Sequence, residues 1–249
     1  MRPSLVFLLS TLVAATGIAS SSLDATALLR RFQSRYRAAH TLQASFFEQY
    51  LDNGKVVRSE AGTAYFRRPG KMRWEYQSPE ANLYIVDGKW SWFYVPTDHT
   101  ATRIRSRESS DWRTPFALLA GEMKVDRICK TVAMETNAKP VNPRGILLRC
   151  LLRNPDNGSA ARDQNASSES TLALFELDPV SGELLRVVVS DPGGVQVEFR
   201  FARWLFDPPL NDQLFRFDPP RGVAIVDGNI GAVRAGSSPS GVNSATPFR

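Results

Sequence analysis

From Gly62 to Pro96, apolar and largely aromatic side chains return at alternating positions around the dipeptide Arg68-Pro69. Met72, Trp74 and Tyr76 share one parity while Lys71, Arg73, Glu75 and Gln77 take the other, the two-residue period of a strand with one buried face. Trp90, Trp92 and Tyr94 repeat the pattern. Between the runs, Asp87-Gly88 is a two-residue turn signal, since both residues tolerate the positive φ of tight hairpins. Adjacent strands are therefore predicted to turn wide side chains toward a common interior. Upstream, Leu42, Ala44 and Phe46 alternate with Gln43 and Ser45 in a strand over Leu42 to Leu51. Asp52-Asn53-Gly54 then returns the chain into Val56 to Arg67. Leu28, Phe32 and Tyr36 recur every fourth residue behind a capping Asp24, so an amphipathic helix precedes these strands.

After the aromatic segment, Phe116 to Ala120 reads as a short and nearly all-apolar helix, with Pro115 near its start, Ser109 or Ser110 before it and Gly121 at its end. Strands follow at Val125 to Met134, Ile146 to Arg153, Thr171 to Leu177, Glu183 to Ser190 and Val195 to Leu205. The polar stretch Asn154 to Ser170 reads as a surface excursion. Consecutive hairpins with few helices favour a mainly β fold in which one antiparallel sheet curls on itself, removing edges and turning one face inward. This pattern alone leaves a filled core and a hollow one equally open.

The first residues change the picture of where the chain works. MRPSLVFLLSTLVAATGIAS has a cation at Arg2, an apolar run of about eleven residues from Leu5 to Ala15, and small residues at Gly17 and Ala19. It reads as a secretory signal peptide over residues 1–19, too short for the roughly 20 residues that span a bilayer. An exported, soluble domain over 20–228 is expected, followed by a disordered tail over 229–249, where Gly, Ser, Ala and Pro leave little to pack. The only cysteines are Cys129 and Cys150, so no lipidation cysteine follows the signal. They flank the turn-rich Asn137 to Gly145 segment and could face each other across a hairpin; export permits a disulfide, and two reduced core thiols are the other reading.

The net charge of +6 is spread over Arg30, Arg31, Arg35 and Arg37 and over Arg103, Arg105 and Arg107. It reads as a solvated basic face, with an acidic partner or anionic headgroups as the alternative. Export disfavours nucleic acid. Two histidines, His40 and His99, and two cysteines at these spacings make no metal set or triad, and no serine stands in a Gly-x-Ser-x-Gly setting. Glu75 and Glu80 read as solvated positions. Neither an enzyme nor a cofactor is expected.

Three segments carry a specific likeness: RRPGKMRWEY, IVDGKWSWFYVP, and DWRTPFALLAG from Asp111, with GTAYFRR before them and RFDPPRGVAIVD after. In this order and spacing the chain, from about Leu28 to Asp227, resembles the periplasmic outer-membrane lipoprotein carrier family, LolA. The resemblance implies an unclosed antiparallel β-barrel whose apolar concave face is covered by a helical lid. It implies an acyl-chain cavity walled by Phe46, Phe66, Met72, Trp74, Tyr76, Trp90 and Trp92, with Phe93 as the alternative to Trp92. The lid's inner surface would come from Leu28, Phe32 and Tyr36 on the first helix and from Pro115, Phe116, Leu118, Leu119 and Ala120 on the second. Arg68 takes the position of an arginine that, in the family, latches the lid by hydrogen-bonding carbonyls at the end of the lid helix, here those near Leu119 and Ala120.

The implied role is a monomeric carrier without a nucleotide. It would take lipoproteins by their acyl chains from an inner-membrane ABC transporter of the lipoprotein-releasing type and pass them to an outer-membrane acceptor. A periplasmic lipid or lipoprotein sensor, or a carrier of another lipid, built on the same barrel is the alternative.

Overall fold

A computed structural model describes residues 24–106, 116–121, 124–153 and 171–228. The expected signal peptide, the tail over 229–249, Ser109, Ser110, Pro115 and the Asn154 to Ser170 excursion lie outside the described residues. Helix α1 spans Ala25–Ala38 and starts where the Asp24 carboxylate accepts the Thr26 N–H at 2.9 Å. Its buried stripe is Leu28, Phe32 and Tyr36, and Arg35 and Arg37 occupy the last turn, where cations complement the helix dipole.

Six strands follow: β1 Thr41–Asp52, β2 Lys55–Arg67, β3 Lys71–Ser78, β4 Leu83–Val86, β5 Trp90–Val95 and β6 Thr100–Arg105. Two short helices come next, α2 Ala117–Ala120 and α3 Val125–Ile128. They lead into β7 Cys129–Met134, β8 Ile146–Leu152, β9 Leu172–Leu177, β10 Leu184–Ser190 and β11 Val195–Phe206. A 3₁₀ turn at Asp212–Phe215 and β12, Ala224–Asp227, complete the order. Among the described residues no helix is long and apolar enough to cross a membrane.

All twelve strands belong to one sheet in the order β12-β6-β5-β4-β3-β2-β1-β11-β10-β9-β8-β7. β12 and β7 stand at opposite ends of that order, so the barrel does not close. Every pairing is antiparallel except that of β12 with β6, which is parallel and departs from the purely antiparallel sheet expected. β1, next to the middle of the sheet, pairs with β11 and brings Phe46 opposite Phe201. Alternation places Leu42, Ala44 and Phe46 of β1, Phe66 of β2, and Met72, Trp74 and Tyr76 of β3 in one buried cluster with Phe199 and Phe201 of β11. Gly62 makes this crowding feasible: a Cβ there would lie 1.9 Å from the Glu75 carbonyl oxygen and 3.0 Å from the Phe46 ring.

Two further sequence expectations change within the fold. Val125 to Ile128 forms a helical turn rather than strand; Arg153 secures it by donating from its N–H to the Ile128 carbonyl and from Nε to that of Asp126. Trp90 and Trp92 do not belong to the inner wall. β3 and β4 pair Met72 with Val86 and Trp74 with Tyr84, so even positions of β4 point inward. The β4–β5 hairpin turns at Gly88-Lys89, with Asp87 N–H donating to the Trp90 carbonyl, and a two-residue turn pairs residues of opposite parity. Phe93 therefore faces inward opposite Tyr84, while Trp92 joins Ile85 and Ala101 in a separate cluster on the convex face.

Residues 207–228 form a strap across that convex face. Arg67 Nη1 donates to the Leu210 carbonyl at 2.6 Å, Lys71 Nζ to Asp212 at 3.0 Å, and Arg73 Nη1 to the Leu214 carbonyl at 2.9 Å. Phe217 then packs on Trp92 and Tyr94, and Arg103 pairs with Asp227 at 2.6 Å beside β12. Trp90 is partly exposed, with the guanidinium groups of Arg103 and Arg105 over its ring. Cys129 and Cys150 form a disulfide across the β7–β8 hairpin.

Candidate functional site

The sheet's concave face is built by strand parity, and its centre is Trp74, fully buried. Phe46 and Phe66 meet the Trp74 ring from the neighbouring strands with centroids 4.9 and 5.7 Å away. Phe199 and Phe201 approach from β11 at 5.4 and 6.1 Å. Alternation over Val197, Phe199 and Phe201 is visible in the sequence, but only the β1–β11 pairing reveals that this strand completes the wall.

Two helices cover the wall. Phe116, directly before α2, inserts its ring between Trp74 at 5.1 Å, Phe199 at 4.8 Å and Phe201 at 5.4 Å. Leu118, Leu119 and Ala120 are buried behind it. On α1, Leu28, Phe32 and Tyr36 are buried, and Tyr36 packs edge-on against Trp204 at 5.2 Å and Phe206 at 5.3 Å. The Tyr36 hydroxyl accepts the Leu184 N–H at 2.9 Å, and burial pushes its pKa well above the ordinary tyrosine range. Among the described residues, the side chains of both helices pack directly on the wall. A residual apolar cavity of about 10 Å³ lies between Leu29 and Phe32 of α1, the Cys129–Cys150 pair, and Phe175 and Leu177.

The β2–β3 hairpin, Arg68-Pro69-Gly70, ties both helices down. Arg68 reaches α1 rather than the carbonyls near Leu119 and Ala120. Its Nη1 donates to the Arg37 carbonyl at 2.6 Å and its Nη2 to the Tyr36 carbonyl. These carbonyls lack partners within the helix, and a multi-donor guanidinium suits them. The end of α2 is met instead by backbone: the Gly70 N–H donates to the Ala120 carbonyl at 2.7 Å. Burial, then the neighbouring Arg37 charge, lowers the Arg68 pKa, and Asp207 pulls the other way. The outer side of α1 is fastened to the β9–β10 turn by Arg35 with Glu183 at 2.7 Å and by Arg31 with the Pro179 carbonyl.

Polar groups bound the wall at the level of Tyr76, whose hydroxyl donates to the buried Glu48 carboxylate at 2.6 Å. Glu60 stands opposite Glu48 in the β1–β2 register and pairs with Arg58 at 3.1 Å. His40 and His99 are exposed, on the α1–β1 connection and in the β5–β6 turn. No group of three His, Cys, Asp or Glu residues able to hold a metal occurs among the described residues. What the arrangement offers is a broad aromatic face behind a small cover held by a few hydrogen bonds.

A family model described as outer membrane lipoprotein carrier protein LolA matches residues 37–141. The outer-membrane lipoprotein carrier protein of Nitrosomonas europaea is 30% identical over 192 residues, which cover 76% of this chain and 83% of that protein. That of Chromobacterium violaceum is 28% identical over 232 residues, covering 92% of this chain and 100% of the other. Among solved structures, a LolA superfamily protein from Nitrosomonas europaea aligns over 78% of this chain and 97% of its own length, with a TM-score of 0.41 at 9% identity.

Proposed function

The chain belongs to the outer membrane lipoprotein carrier family, LolA, and from that membership we propose that it is a periplasmic carrier that binds the acyl chains of lipoproteins and moves them toward the outer membrane. The observation that carries the reading is the Phe116 ring seated on Trp74, Phe199 and Phe201: a removable apolar plug on a wide aromatic wall. Hydrocarbon carried through water costs roughly 0.8 kcal/mol per exposed CH2, so a lipid-anchored protein cannot cross an aqueous compartment with its chains bare. A surface of aromatic and aliphatic side chains hides them without demanding particular hydrogen bonds. Release matters equally. The plug competes for the same wall, so each chain that enters displaces contacts already made, and net affinity is far below the gross burial energy.

The inner surface that would receive the chains is Phe46, Phe66, Met72, Trp74 and Tyr76, with Phe93 in place of Trp92 and with Phe199 and Phe201 added. Met72 is flexible and polarizable, suited to chains of varying position. Arg68 acts as a latch by holding the last turn of α1, and Gly70 does the same for α2. Loading would come from an inner-membrane ABC transporter of the lipoprotein-releasing type and unloading would go to an outer-membrane acceptor, with no chemistry performed by the carrier itself. The signal peptide over residues 1–19 would direct export and be cleaved from the mature chain.

The test is to incubate the purified protein with spheroplasts making a radiolabelled lipoprotein and to look for label in a soluble complex with it. Label in that complex is expected. Label that stays in the membrane fraction, with the matching transporter active, would sink the proposal and leave a lipid sensor as the better reading.

A further inference from the structure

Among the described residues, the buried polar ends of aromatic side chains have partners, with one exception inside the chamber. Trp204 Nε1 donates to the Leu184 carbonyl at 2.8 Å, Tyr36 accepts from the Leu184 N–H, and Tyr76 donates to Glu48. Trp74 is fully buried and its Nε1–H has no acceptor among the described residues. A buried donor without a partner is unfavourable, and native structures rarely keep one without a use for it. Water is a poor candidate for the missing acceptor, because an ordered water needs two to four polar partners and the rings around Trp74 are Phe46, Phe66, Phe116, Phe199 and Phe201.

An acceptor brought to this site by a ligand would have to arrive on an apolar carrier. A carboxylate would have to shed its charge or its hydration to enter this site. A neutral carbonyl flanked by hydrocarbon meets no such penalty. Phe116 is the neighbour that belongs to the lid, so opening the lid bares the Trp74 ring and admits a ligand at the same place. We propose that Trp74 Nε1 is a ligand-binding donor, recognising the carbonyl of an acyl ester on the bound lipid, so that the chamber reads the linkage of the chains as well as their hydrophobicity. This rests on the lipid-carrier reading of the same chamber. It adds a positional rule: with the carbonyl fixed at Trp74, the hydrocarbon extends away along the phenylalanine wall.

The experiment compares two probes with the purified full chain: a cysteinyl peptide bearing ester-linked diacylglycerol, and its ether-linked dialkyl counterpart of equal chain length. Affinity is measured for each, and the indole N–H signals are followed by nitrogen-15 NMR, with Trp74→Phe identifying the Trp74 signal. The wild type is expected to prefer the ester roughly three- to tenfold, the worth of one neutral hydrogen bond. The Trp74 signal should move downfield with the ester and stay in place with the ether. Trp74→Phe should bind both probes with equal affinity; the ratio cancels the volume lost at that position. If that variant does not fold, the wild-type ratio decides.

An ester-linked phospholipid that moves the signal equally assigns the donor to acyl esters in general, and movement with the peptide alone assigns it to the lipidated cysteine. Equal affinity of wild type for ester and ether overturns the inference and leaves the carrier reading intact. Binding of neither probe overturns both.

Discussion

Tyr36 shows how one residue serves the fold and the lid together. Its ring joins α1 to Trp204 and Phe206, its hydroxyl satisfies the Leu184 N–H, and its carbonyl receives Arg68. Tyr36→Phe leaves that buried N–H without an acceptor and should lower stability by about 1–3 kcal/mol, read from denaturant midpoints. The pH dependence has a definite sign. Burial raises the hydroxyl pKa above its ordinary 10.0, so an unfolded chain sheds this proton where the folded one keeps it. The contribution is fully present below about pH 10 and is lost as pH rises beyond it, so Tyr36→Phe should flatten the alkaline arm of the stability profile. Arg68→Leu should leave the sheet folded but free the Tyr36 and Arg37 carbonyls. Hydrogen exchange in the last turn of α1 should then quicken at least tenfold, given roughly 1.5–3 kcal/mol for each bond to a charged donor; unchanged exchange would show that Arg68 does not restrain the lid. The sequence and the family resemblance marked Arg68 itself, but its partner is a matter of which helix end lies over the β2–β3 hairpin, and no local pattern encodes that.

At the level of elements, the long strands β1, β2 and β3 and the buried stripe of α1 are legible because each repeats one period for several residues. Parity fails to carry across a turn. Trp90 and Trp92 look like wall residues because their alternation matches that of Met72 to Tyr76, yet the turn at Gly88-Lys89 exchanges the inward and outward sets. The same rule, applied to the hairpin once β4 is oriented, selects Phe93. α3, Val125-Asp126-Arg127-Ile128, hides at the head of the expected Val125 to Met134 strand because four residues are too few for either period to show. The strap after β11 lacks a periodic signal altogether, since Arg67, Lys71 and Arg73 hold it through its backbone carbonyls and Asp212. The β7–β8 hairpin, at the end of the sheet, is stapled by Cys129–Cys150 with a sequence separation of 21. Loop entropy for that span predicts that Cys129→Ser with Cys150→Ser costs about 3 kcal/mol. A midpoint unchanged from that of the oxidised wild type would mean the staple contributes nothing to the folded state.

Among its described residues the molecule is an open sheet with a covered concave face and a strapped convex one. The strap, the Trp92 cluster and the ion pair of Arg103 with Asp227 make the outside of β5 and β6 a structural surface. On the inside, Phe116 and the stripe of α1 occupy the room that cargo would need, so binding must be an exchange of lid contacts for acyl contacts. An unclosed barrel suits such an exchange, with the sheet as the wall and the two helices as the parts that would have to move. The decisive measurement places a photoreactive phenylalanine derivative at Phe46, inside, or at Trp90, outside, in cells that export the protein, and asks which position crosslinks to lipoprotein. Crosslinks at Phe46 and their absence at Trp90 are expected. Crosslinks at Trp90 with none at Phe46 would place the cargo on the convex face and contradict the exchange of lid for acyl chains.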